Sequence, residues 1–228
     1  MTKQQQVSAS AGFMKRYASA LAANTARNRT LAARQAGVNT PAVLCSYGPM
    51  ALLFQRVVPA AQPSLSQMVQ ALEQVNNMPG HGLLRFDPFL RILPRLAFAP
   101  TGIWDIVADL SAQNSASAWP EAAVIHGDFH PGQVLVDALH KVWLIDLDDL
   151  ALAPPEADLG NLAAWIATQS AGHLKTQTIA ALSRVLALRP KSDHALADHF
   201  CRIALVRRAL KLAEKGQTWA LDQVLLRA

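Results

Sequence analysis

Residues 124–149 read VIHGDFHPGQVLVDALHKVWLIDLDD, and the fold of the whole chain turns on this stretch. Apolar residues 123–125 run into His126-Gly127-Asp128-Phe129-His130-Pro131-Gly132, whose glycines and proline oppose helix and present Asp128 on a turn. The next residues, 133–136, run from Gln133 into apolar Val134, Leu135 and Val136, two of them β-branched, and predict a strand. A tight turn over 137–140 reverses it, and 141–145 returns as the hairpin partner. Asp146 then ends the return strand beside the loop that carries Asp128.

Two carboxylates brought together by a turn and a hairpin suit phosphoryl transfer. That chemistry needs one carboxylate to accept a hydroxyl proton, and oxygen ligands that hold magnesium against the phosphates. The residue order matches a kinase catalytic loop: His-x-Asp, an amide after four further residues (here Gln133), and a second Asp after a hairpin. A plainer reading makes Asp128 a turn cap and Asp146 a hairpin-end charge. A zinc site is excluded, because His126 and His130 sit on a Gly/Pro turn rather than on one helical face and no cysteine is near.

The stretches HGDFHPGQ and IDLDD, followed by the proline-acid segment 153–162 (APPEADLGNL), resemble the aminoglycoside phosphotransferase and choline kinase superfamily, the small-molecule relatives of protein kinases. The resemblance implies an α+β, protein-kinase-like two-lobe fold, with a reduced N-terminal nucleotide lobe over 1–59 and a mainly helical catalytic and substrate lobe over 60–228. It implies transfer of the γ-phosphate of ATP or GTP to a hydroxyl of a small molecule. Asp128 would act as base, and Gln133 and Asp146 would hold Mg2+. Where the family usually has Asn, Gln133 offers the same amide oxygen on a stem one methylene longer. Lys15 would contact the nucleotide phosphates, with an ordinary surface lysine as the alternative. His126, His130 and Asp158 would support the catalytic loop, and Asp158 could at the same time cap a helix over 159–169. One of Asp148 and Asp149 would assist the metal through water.

Charge is unevenly spread. The first 72 residues hold Lys3, Lys15, Arg16, Arg27, Arg29, Arg34 and Arg56 and no acid, whereas 121–158 holds eight acids against Lys141 alone. Cations for phosphate and carboxylates for metal fit a magnesium nucleotide. Nucleic-acid binding lacks support despite a net charge of +5, because the basic residues are scattered among alanines without interleaved aromatics. No apolar run is long enough to span a bilayer, and the first residues carry no signal-peptide core, which predicts a cytoplasmic protein. Cys45 and Cys201 stand apart without motifs and are read as reduced, buried residues.

Around this centre, 12–17 predicts a strand carrying Lys15, 18–36 an alanine-rich helix ended by Gly37, and 42–57 a hairpin around Gly48-Pro49 whose far end, 54–58, would receive adenine. Ser64 with Gln67 forms a capping-box pattern at the expected lobe boundary. Residues up to 113 read as broken helix and 111–120 as a polar loop. Three helical patterns follow over 159–169, 174–188 and 193–215, with 217–227 as a terminal turn or helix. Two family features are missing from this reading: a Gly-rich hairpin before Lys15, and an acid before Glu73 that could pair with Lys15. They motivate a second reading, a catalytically inactive pseudokinase that serves as a binding module. The Asp128, Gln133 and Asp146 set argues against it.

Overall fold

A computed structural model describes residues 12–99, 102–114, 119, 122–171 and 173–217. In chain order these form β1 (Gly12–Arg16), α1 (Ala20–Gln35), β2 (Val43–Ser46), β3 (Ala51–Gln55), α2 (Leu65–Asn76), a 3-10 helix (Leu93–Phe98) and α3 (Ile103–Gln113). There follow β4 (Ala123–Ile125), a 3-10 turn (Pro131–Gln133), β5 (Val134–Val136), β6 (Val142–Leu144), a second 3-10 turn (Leu147–Asp149), β7 (Ala151–Ala153), α4 (Glu156–Gln169), α5 (Leu174–Leu186) and α6 (His194–Ala213). Among the described residues no helix is long and apolar enough to cross a membrane.

The described residues fall into two compact units. One comprises residues up to Pro79 together with Pro131–Leu150, and the other Gly80–His130 together with residues from Ala151 onward. These units are set by packing.

The first unit is built on an antiparallel sheet of order β1-β3-β2, with Gly12 opposite Gln55 and Arg16 opposite Ala51. Helix α1 starts at Ser19, whose hydroxyl accepts from Ala22 N at 3.1 Å, and it stops before Gly37, which takes the left-handed φ of +87° that a side chain would resist. Its alanines Ala23 and Ala26 are small enough to seat the helix on Leu52 of β3. Helix α2 opens with the expected capping box, Ser64 and Gln67 each bonding the other's backbone N–H. The β5–β6 hairpin joins this unit through Leu144 N to Asn39 O at 2.8 Å and Ala60 N to Val136 O at 2.8 Å.

The second unit pairs β4 with β7, antiparallel, with Ile125 opposite Ala151. Its apolar core gathers Phe89, Ile92, Val107 and Leu110 with Ile125 and, from α6, Phe200, Ile203, Val206 and Leu210. Helices α4 and α6 pack backbone to backbone at Gly160. A Cβ there would come within 2.6 Å of Cys201 N and 2.7 Å of Ala197 O.

Several expectations need correction. Residues 131–133 form a 3-10 turn, because proline suits the first position of a helical turn, so Gln133 precedes the strand rather than opening it. The α4 helix begins at Glu156, with Pro155 at its cap position, and Asp158 lies inside the first turn, so Asp158 is not the N-cap. Residues 111–113 are helical, and most of the predicted loop beyond them lies outside the described residues. The stretch before Gly12, where a phosphate-covering hairpin was sought, and nearly all of 217–227 also lie outside them. Cys201 is buried, but Cys45 is only half-buried.

Candidate active site

Two groups of polar side chains carry the predicted residues, one in each unit.

In the first unit, β1 and the β5–β6 hairpin border a cavity of about 620 Å3, lined by Lys15, Thr40, Phe54, Arg56, Gln133 and Asp146 among others. That volume is in the range of small-molecule and cofactor sites. Lys15 projects from the sheet and hydrogen-bonds the carboxylates of Asp146 and, at 2.6 Å, Asp148. Burial by itself would lower its pKa, but the hydrogen bonds to Asp146 and Asp148 outweigh that and hold Lys15 above the ordinary lysine value. The Tyr17 ring lies 5.3 Å from the ammonium. Burial, reinforced by the Asp148 charge, pushes the Tyr17 hydroxyl up to about 12.

The sequence offered no local acid for Lys15. Its anchors come from 131 and 133 residues downstream. Asp146 has a positive φ of 61°, an uncommon conformation that asparagine and aspartate tolerate best, and this backbone turn ends β6. Gln133 is buried and its amide nitrogen donates to Asp146 Oδ2 at 3.4 Å. Turned by half a rotation, the same amide directs its oxygen to the same side as the carboxylate. A hard cation takes such neutral and anionic oxygens, completing its shell with water and phosphate. This donor set fits magnesium. Among the described residues no group of three or more His, Cys, Asp or Glu side chains could hold a metal ion. Asp148 is pushed up by burial, which Lys15 only partly offsets. The Asp148 carbonyl accepts from the Arg29 guanidinium of α1, which fixes the turn after Asp146.

The second unit holds the Asp128 loop. Strand β4 ends at Ile125, and the chain turns at Gly127, whose φ of +81° requires glycine or strain. Asp158 reaches this turn from α4 and accepts the backbone N–H groups of His126 at 2.6 Å and Gly127 at 3.0 Å. It is fully buried. Burial pushes its pKa up against the opposing pull of His126 and the two N–H donors. One turn later, Asn161 donates to the Phe129 carbonyl at 2.6 Å. The loop is thereby fastened at both sides of Asp128. His126 is itself buried, its ring edge-on to Phe129 at 5.7 Å. His130 is half-buried, and burial lowers its pKa, with Asp128 opposing.

Asp128 does not stand alone. Arg207 of α6 donates from Nη2 to Asp128 Oδ1 at 2.7 Å and to Asn161 Oδ1 at 3.0 Å, and Arg91 Nη1 lies 3.7 Å from Asp128 Oδ2. Burial would raise the Asp128 carboxyl, but the charges of Arg207, Arg91 and Lys211 hold it below the usual carboxylate value. Sequence reasoning missed Arg207, Arg91 and Asn161. One signal was present: Arg207 falls on the apolar stripe of α6, between Ile203 and Leu210, where an arginine requires a partner.

Residues 7–192 match the model of the phosphotransferase enzyme family. No curated protein shows significant sequence similarity to the chain. Among solved structures, the aminoglycoside phosphotransferase APH(3'')-Id from Streptomyces rimosus, in complex with ADP and streptomycin, is similar at 20% identity and a TM-score of 0.65, covering 86% of this chain and 87% of that one. The choline kinase LicA from Streptococcus pneumoniae is similar at 13% identity and a TM-score of 0.60, over 92% of this chain and 81% of that one. The amicoumacin kinase hAmiN, in complex with AMP-PNP, Ca2+ and Ami, is similar at 10% identity and a TM-score of 0.63, over 88% of this chain and 73% of that one. With most of its length matched by the family model, the chain belongs to the phosphotransferase enzyme family and has the α+β, protein-kinase-like fold of the aminoglycoside phosphotransferases and choline kinases.

Proposed function

We propose that the chain transfers the γ-phosphate of ATP, or of GTP, to a hydroxyl group of a small molecule. The observation that carries this reading is the Asp128 loop, clamped by Asp158 and Asn161 on a chain whose family transfers phosphate. A carboxylate held ionised by Arg207 suits a base that orients the hydroxyl and takes its proton late. Gln133 and Asp146 are the residues that would hold Mg2+, which supplies charge neutralisation on the transferred phosphate. Lys15 exchanges its carboxylate partners for the α- and β-phosphates, and the 54–58 segment offers main-chain groups to the adenine. His126, His130 and Asp158 keep the loop in shape. In this reading residues 1–59 form the nucleotide lobe and 60–228 the catalytic and substrate lobe, and the protein works in the cytoplasm.

One observation favours the second reading, a binding module without turnover: Lys15 occupies the carboxylates of Asp146 and Asp148. Thermal unfolding with ATP, with and without Mg2+, separates the two. A ligand at a hundredfold excess over its Kd adds ~2.7 kcal/mol, which shifts the midpoint by about 5 to 10 °C for a chain of this size. The phosphotransferase reading expects that shift to need Mg2+ and to vanish in Asp146→Asn. No shift with either ATP or GTP would sink it.

A further inference from the structure

We propose that the acceptor bound beside Asp128 is an anion, a hydroxyl-bearing small molecule whose carboxylate or phosphate group is held by Arg207, Lys211 and Arg91. The inference rests on the reading of Asp128 as base and adds the substrate class to it.

The charge around Asp128 is one-sided. Arg207 and Lys211 are one turn apart on α6 and so share a face. Arg91 and Arg95 are likewise spaced one turn apart, and the Arg95 guanidinium donates to the Arg91 carbonyl at 2.6 Å. Arg95 also joins its segment to the end of α6 through Glu214 at 3.0 Å. Arg208 lies beside Arg207, with its Nε buried and lacking a hydrogen-bond partner among the described residues. Among the described residues Asp128 pairs with Arg207 and Arg91, and Glu214 with Arg95. The Asp87 carboxylate already caps the Phe89 N–H at 2.8 Å. Arg207 itself is buried, and both of its hydrogen bonds leave from Nη2. A guanidinium has five N–H donors, so Nε and Nη1 retain donors that match a carboxylate or phosphate fork.

The repulsion within this group is visible in its members. Partial desolvation and then the Arg207 charge lower the pKa of Lys211. The same two causes bring Arg208 down to about 10. Gathering like charges around one carboxylate is unfavourable unless a further anion completes the set. A polycation or quaternary amine would meet repulsion at the same place.

Titration calorimetry on the full chain tests this with four probes of similar size: D-glycerate, glycerol 3-phosphate, glycerol and choline. At least one anion is expected to bind tenfold or more tightly than glycerol and choline. Lys211→Ala should weaken that anion by about tenfold, the loss expected for one charge-assisted hydrogen bond. Lys211 is exposed, so its unfolding midpoint serves as a folding control. Preference for glycerate assigns the cluster to a carboxylate, and preference for glycerol 3-phosphate assigns it to a phosphoryl group. Binding of choline or glycerol as tight as the anions, no anion binding, or indifference to Lys211→Ala would overturn the proposal. A selective anion together with no magnesium-dependent nucleotide shift would leave the anion site standing while removing the kinase reading. The reverse combination would remove only the anion.

Discussion

Replacing Gly160 by alanine sets two effects of opposite sign against each other, and the structure decides between them. Glycine inside a helix costs about 1 kcal/mol relative to alanine, so α4 by itself gains from the change. The added methyl, however, would lie 2.6 Å from Cys201 N, 2.7 Å from Ala197 O and 2.9 Å from Phe200 C. All three are backbone atoms of α6, so no side chain can swing aside. The helices would have to part by roughly 0.7 Å to restore van der Waals contact, and overpacking of this kind costs about 3 kcal/mol at the upper end of its range. The net loss is about 2 kcal/mol, or about 4 to 8 °C in the unfolding midpoint for a chain of this length. Gly160→Ser should lose at least as much. Circular dichroism melting of both variants checks this. An unchanged or raised midpoint in Gly160→Ala would refute the close helix packing on which the placement of Asp158 and Asn161 depends.

Other consequences can be measured in the same preparation. Asp158→Ala strands two buried backbone N–H groups, each worth about 1 to 3 kcal/mol, so urea unfolding should show a loss of at least 2 kcal/mol. A loss below ~1 kcal/mol would mean that water replaces the carboxylate. Asp128 has a folded pKa below its unfolded value, because Arg207 and Arg91 outweigh burial. Its contribution to stability is therefore complete above the unfolded carboxylate pKa of about 3.9 and disappears as pH falls through the lower folded value. In Arg207→Met, burial faces less opposition and the Asp128 titration should move up, as followed by carboxyl carbon NMR. An unmoved titration removes Arg207 from that role. Native Cys45 should react with a thiol reagent and Cys201 should not, since burial raises its thiol pKa and closes access. Equal labelling of both would contradict the packing of α6.

What the sequence reveals and what it hides follow from the range of the interactions. The 131–149 hairpin is legible because its turn is local: Asp137 accepts from Leu139 N, Lys141 N and the Trp143 indole, all within six residues. Helices α1, α4, α5 and α6 declare themselves by their helical patterns, and α1 and α6 also carry capping side chains, Ser19 and Asp193. The start of α4 escaped because Pro155 could either end a loop or sit at a helix terminus, and only packing chose. The Arg207 to Asp128 contact spans 79 residues, and Lys15 to Asp146 spans 131. No local pattern encodes such partners. What the chain does reveal is a demand, a charge on a buried stripe, without naming its answer.

The first unit is interrupted in sequence, and protein synthesis gives that interruption a temporal meaning. Residues up to Pro79 leave the ribosome without the hairpin, so Asn39 O and Ala60 N wait for Leu144 N and Val136 O. At ~5–20 residues per second the wait is roughly 4 to 14 s, during which the opening segment of the second unit is made. Neither unit can therefore mature wholly before the other has begun. The Asp128 loop and the hairpin with Gln133 and Asp146 emerge as one continuous stretch, so the nascent chain receives both halves of its proposed chemistry at the same moment.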